Sequence, residues 1–143
     1  MKTPEHPITD EQVTQFVALM KEWQRKLHLM NWRIVRGRRR PKSDIANVSL
    51  YPEHRMVRYE IGRQWGDDPG PNDVEEAVVH ELMHVVLSPV IDAAIKAQKY
   101  DETVIGEEHA VITVFEKLLT EMSTRIRALE GENAALRAAN KEV

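Results

Sequence analysis

The chain has 143 residues, 42% hydrophobic and 30% charged, with a formal net charge of −3; this is enough for one domain with a buried core and too little for two. Seven Pro and six Gly without a low-complexity run exclude a fibrous or disordered chain, and no internal period points to a repeat array. Cysteine is absent, which excludes disulfides, thiol nucleophiles and thiolate ligands, so any metal must sit on His, Asp or Glu.

Met1 to Gln12 contains no apolar leader segment, and the longest apolar runs fall short of the roughly 20 residues that a membrane span needs. A cytoplasmic protein without a membrane partner is therefore expected. Thr9 followed by Gln12 has capping-box spacing, and Val13, Phe16, Val17, Met20 and Leu27 recur at helical intervals, which predicts an amphipathic helix over about 10–27.

Charge is unevenly placed. Residues 1–71 hold 13 Lys+Arg against 9 Asp+Glu, and residues 72–143 hold 7 against 14. Most of the positive excess lies in Arg33, Arg36, Arg38, Arg39, Arg40 and Lys42. That stretch could face an acidic partner or nucleic acid, although it lacks the interleaved aromatics that would favour nucleic acid. Asn31 to Arg36, Ala46 to Tyr51 and Met56 to Ile61 read as strands, the last two joined through a turn at Pro52-Glu53-His54-Arg55. An antiparallel arrangement is expected, and if Met56 to Ile61 lies at a sheet edge, a peptide can add to it through main-chain hydrogen bonds.

Asn72, three residues before Glu75, repeats the capping-box spacing and predicts a second helix over about 73–87, ended by Ser88-Pro89. Residues 90–105 are ambiguous, with helix expected near 91–99 and a break at Gly106 before a final helix that runs nearly to the terminus.

The second helix contains His80-Glu81-Leu82-Met83-His84, a His-Glu-x-x-His pattern. Residues four apart lie on one helical face, so both imidazoles can reach one ion at about 2.1 Å. Glu81 is then placed to deprotonate a water activated by the metal. Apolar Val78, Val79, Leu82, Val85, Val86 and Leu87 surround the motif, as on the floor of a cleft. The plainer role for His80 and His84 is as satisfied core histidines. A catalytic zinc also needs a third protein ligand. Glu107, Glu108 and His109 are the candidates, with Glu108 favoured because Ile112, Phe115 and Leu119 follow it on one face.

These residues resemble the small gluzincin-like zinc metallopeptidases of phage and prophage genomes. The resemblance rests on Trp32-Arg33-Ile34, a hairpin, the run from His80 to Pro89 and Glu107-Glu108-His109-Ala110-Val111, and covers about residues 10–122. It implies zinc (Zn²⁺) bound by His80, His84 and Glu108, with Glu81 as general base in peptide-bond hydrolysis. It also implies an α+β minimal zincin, in which a small sheet of three mostly antiparallel strands packs on the metal helix and its edge strand receives an extended peptide. Ile112 departs from the acidic or amide residue that better-studied gluzincins often carry four positions after the ligand glutamate, so orientation of a ligand histidine would fall to Asp101, Glu102 or a backbone carbonyl.

The motif is shared with SprT-like proteases acting on DNA-bound proteins, which usually take histidine as third ligand, a role open to His109. Peptide deformylases are excluded by the missing cysteine. For a donor to the oxyanion, Tyr59 is favoured on the expectation that its strand lies nearest the motif, with Tyr51, His54 and Tyr100 behind it. Two rival roles are a non-catalytic scaffold and a purely structural zinc site.

From Phe115 onward, Phe115, Met122, Leu129, Leu136 and Val143 occupy one heptad position, and Leu119, Ile126, Asn133 and Asn140 the other. A domain over 1–122 and a helical extension over 123–143 are expected, the extension forming a weak parallel homodimer. Gly131 and the short free length oppose it.

Overall fold

A computed structural model describes residues 6–96 and 102–140. In chain order the elements are β1 (His6–Pro7), α1 (Asp10–Lys26), β2 (Arg33–Arg36), β3 (Ala46–Tyr51), a 3₁₀ turn (Pro52–His54), β4 (Met56–Ile61), β5 (Gln64–Trp65), α2 (Asp73–Lys96) and α3 (Glu102–Ala139). The architecture is mixed α+β.

Helix α1 begins as its sequence predicts. The Gln12 N–H donates to the Thr9 hydroxyl at 3.2 Å, and the Thr9 N–H donates to the Gln12 side-chain oxygen at 3.0 Å, closing the capping box. Its buried face, Val13, Phe16, Leu19, Met20 and Trp23, packs on α2 and the sheet.

The main sheet has the order β2-β4-β3, with β2 parallel to β4 and β3 antiparallel to it. This corrects the expectation of an antiparallel sheet, and β4 is not an edge strand. Strand β4 carries the most buried apolar face, Val57, Tyr59 and Ile61, and so takes the centre. Strand β2, with exposed Arg33 and Arg36, stays at one edge. Residues 37–45 are too many for a tight hairpin and carry the chain across to β3 at the other edge. That crossing segment is pinned: Arg40 donates to the Gly62 carbonyl at 2.8 Å, and the Gly62 N–H donates to Ile45 O at 2.7 Å.

Two helix boundaries differ from the sequence reading. Pro89 lacks the N–H that would bond the carbonyl of Val85, but the Ser88 hydroxyl donates to that same carbonyl at 2.8 Å. With the orphaned acceptor satisfied, α2 continues to Lys96. Gly106 does not break α3, which runs through it; a Cβ there would meet no atom within 4 Å, and a solvated glycine costs a helix only about 1 kcal/mol.

Glu75 does not complete a capping box. Its carboxylate is 4% exposed and accepts from Trp23 Nε1 (2.8 Å), Ser123 Oγ (3.2 Å) and Arg127 (2.9 and 3.0 Å), tying α1, α2 and α3 together. A buried indole N–H and a guanidinium are stronger claims on a carboxylate than an exposed backbone N–H. Helix α3 therefore stays anchored to the other helices as far as Arg127. Helix α2 is long and apolar enough, by length and composition, to cross a membrane, but in this fold it is the core helix, with Val78, Val79 and Leu82 fully buried.

Candidate metal centre

His80, Glu81 and His84 lie on the side of α2 that faces β3, together lining a cleft with Asp44, Ala46, Asn47, Val48, Leu50 and His109. Strand β3 is an edge strand, so its outer backbone groups are open along this cleft. Beside it, a cavity of about 650 Å³ extends past His80 and Glu81 toward Trp65. Its rim is acidic, with Asp44, Asp67, Asp73, Glu76 and Glu116.

The ring atoms of His80, His84 and His109 lie within 4.8 Å of one another and could hold a metal ion. The ligands of a tetrahedral zinc are about 3.4 Å apart, so small side-chain rotations close the set. Two of the rings are held from behind by α3. The Nδ1–H of His80 donates to Glu116 Oε2 at 2.6 Å, and that of His84 to Glu108 Oε1 at 3.0 Å. With Nδ1 engaged in both, Nε2 is the atom free to take a cation. Burial lowers the pKa of His84, opposed by its bond to Glu108, which favours the neutral ring that a metal requires.

Glu108 was the expected third ligand, and the structure places it differently. Its carboxylate is spent on the outer nitrogen of His84, while His109 brings its ring next to both motif histidines, with centroids 5.8 Å from His80 and 5.2 Å from His84. The helical turn explains where the two side chains lie. Glu108 leads by one turn into the fully buried Ile112 and so faces α2 deep in the packing, whereas His109 is rotated by about 100° toward the cleft mouth. Glu107 is exposed and belongs to no metal-capable group among the described residues.

Ring orientation was expected from Asp101 or Glu102. Asp101 and the side chain of Glu102 lie outside the described residues; among those described, Glu116 holds His80 and Glu108 holds His84. Glu116 was missed, although it stands two turns after Glu108 on one helical face, a spacing visible in the sequence.

Glu81 is 7% exposed, and no donor bonds its carboxylate among the described residues. Burial, then the charges of Asp44 and Glu116, push its pKa up to about 8. Tyr59 is not at the cleft: it is 5% exposed and stacks on Phe16 with ring centroids 5.9 Å apart. It follows β4 into the sheet centre. His54 is exposed in the 3₁₀ turn, Tyr51 ends β3 outside the cleft lining, and Tyr100 lies outside the described residues. Asn47 is the uncharged side-chain amide among the cleft residues that the sequence reading did not single out.

Comparison with protein-family models, curated proteins and solved structures finds no match to this chain.

Proposed function

We propose that the protein is a zinc-dependent peptidase of the zincin type, with His80, His84 and His109 as ligands and Glu81 as general base. One observation carries this reading: three imidazoles converge at an open cleft, two of them held from behind by carboxylates, with the buried Glu81 carboxyl beside them. A satisfied core histidine needs one partner; it does not need to meet two other rings.

A zinc ion bound there would supply Lewis acidity and make water a competent nucleophile near neutral pH. The chain's own residues do the rest. Glu81, raised in pKa by burial, ionises once a divalent cation sits beside it, takes a proton from the attacking water and returns it to the leaving amine. Glu108 and Glu116 hold the two motif rings in one tautomer. The open edge of β3 accepts main-chain hydrogen bonds from an extended substrate, which selects a protein or peptide.

A histidine in third place favours the SprT-like variant of the resemblance over the gluzincin one. The basic segment 38–42, displayed beside β3, suits a protease whose substrates are bound to DNA. The test is hydrolysis of unstructured protein by the zinc-loaded chain, with and without duplex DNA. Cleavage abolished by Glu81→Gln with zinc retained supports the peptidase, and stimulation by DNA supports the variant. Full zinc occupancy with no cleavage under either condition leaves a structural zinc; no zinc at all leaves a scaffold.

A further inference from the structure

Helix α3 has two faces about a third of a turn apart. One is occupied: Ile112, Glu116, Leu119, Thr120, Ser123 and Arg127 turn toward the domain. The other carries Phe115, Leu118, Met122, Ile126, Leu129 and Leu136, each between 42% and 63% exposed. This stripe runs about 30 Å along the helix, at 1.5 Å per residue. From Thr124 to Asn140 every residue is exposed, so the last turns lie beyond the last anchor at Arg127. A helical end of that length is marginal in water on its own, and a row of large apolar side chains on it needs a cover.

We infer that the cover is a second copy of this chain, its α3 lying parallel and in register from Met122 onward. Placing Met122, Leu129 and Leu136 at d puts Ile126 and Asn133 at a. Arg125 and Glu132 then take g, and Glu130 and Arg137 take e. In a parallel pair each g residue faces the following e residue of the partner, so Arg125 meets Glu130 and Glu132 meets Arg137, opposite in sign at all four symmetric contacts. Asn133 decides the direction. In a parallel dimer it meets its own copy and the two amides can hydrogen-bond, whereas in an antiparallel one it is buried against an apolar d residue. Gly131 falls at f, facing solvent, and a Cβ there would meet nothing within 4 Å; it weakens the helix without disturbing the seam.

The structure also moves the start of the seam. Leu119, an a residue in the heptad, is packed on the domain core, so the exposed stripe passes through Leu118 instead. The steps 115, 118, 122, 126, 129, 133 and 136 include two consecutive fours. Their mean is 3.5 residues, the coiled-coil spacing, so the stripe keeps the heptad repeat while avoiding the face that packs on the domain.

Sedimentation velocity of the full chain over a micromolar to submillimolar range tests this. The expected result is a concentration-dependent doubling of mass, lost in Leu129→Asp plus Leu136→Asp with the thermal unfolding of the domain retained. Arg125→Glu should weaken the dimer at least several-fold, and adding Glu130→Arg should restore it. Asn133→Cys, the sole cysteine in the chain, should form an interchain disulfide on mild oxidation. Gly131→Ala should tighten association. A monomer at every concentration overturns the inference, as does a dimer indifferent to the Leu129 and Leu136 changes. A dimer in which Asn133→Cys does not cross-link overturns the parallel arrangement.

Discussion

Glu116 and His80 sit 36 positions apart in sequence and 2.6 Å apart in space, the carboxylate on α3 accepting from the outer nitrogen of a ring on α2. Glu108 treats His84 in the same way at 3.0 Å, so one face of α3 backs both rings of the motif. Such partners fix ring tautomer and raise ligand basicity, and their loss typically weakens metal binding 10–100-fold. Glu116→Gln and Glu108→Gln are expected to lower zinc affinity within that range and to recover full occupancy at higher zinc. His109→Ala is expected to lose most of the ion. Competition titration against a chelator checks all three; zinc retained by His109→Ala and lost by Glu108→Ala would reverse the ligand assignment.

Glu81→Gln should retain zinc and lose about 10²–10⁴-fold in peptide hydrolysis, the usual range for removing a general base. Metal occupancy and hydrolysis rate measured on one preparation separate that outcome from simple loss of the site.

The same residue makes metal-free stability depend on pH. Its folded pKa of about 8 lies above the unfolded value of 4.5, so the fold holds the protonated form more tightly. Its favourable contribution is complete below about pH 4.5 and is lost as pH rises through about 8. Chelator-treated wild type should therefore lose stability between pH 5 and pH 9, on the order of a few kcal/mol from this group, and Glu81→Gln should lose less. Denaturant unfolding at the two pH values gives the difference, and equal slopes for both proteins would refute it.

Glu75 joins three helices through Trp23, Ser123 and Arg127. Glu75→Ala leaves a buried indole N–H without an acceptor, whereas Arg127, 45% exposed, keeps Glu22 and solvent, and the change should cost about 1–3 kcal/mol. Glu75→Gln, which keeps an acceptor for Trp23, should cost less. Chemical denaturation measures both, and a cost below about 1 kcal/mol for the alanine variant would show that the network does not hold α3 in place.

Thr120 is 2% exposed, and its hydroxyl has no hydrogen-bond partner among the described residues. Valine has nearly the same shape and no polar atom to desolvate. Thr120→Val is expected to leave the fold unchanged and raise stability by about 1 kcal/mol; a destabilised variant would mean that the hydroxyl is bonded after all.

Much was legible in the amino-acid order because it is local. The α1 capping box, strands β3 and β4, and two histidines one turn apart with a carboxylate between them all follow from spacings of a few residues. So does the heptad stripe on α3. Global packing decided the rest. Parallel pairing of β2 with β4 arises because the most apolar strand goes to the centre of the sheet, a competition among strands that no single segment reports. Helix α2 survives Pro89 because the hydroxyl of Ser88 reaches one particular carbonyl. The placement of His109 beside both motif rings, with Glu108 behind His84, turns on a rotation of about 100° around α3, and adjacent residues in a sequence carry no record of which way their helix faces until another helix packs against it.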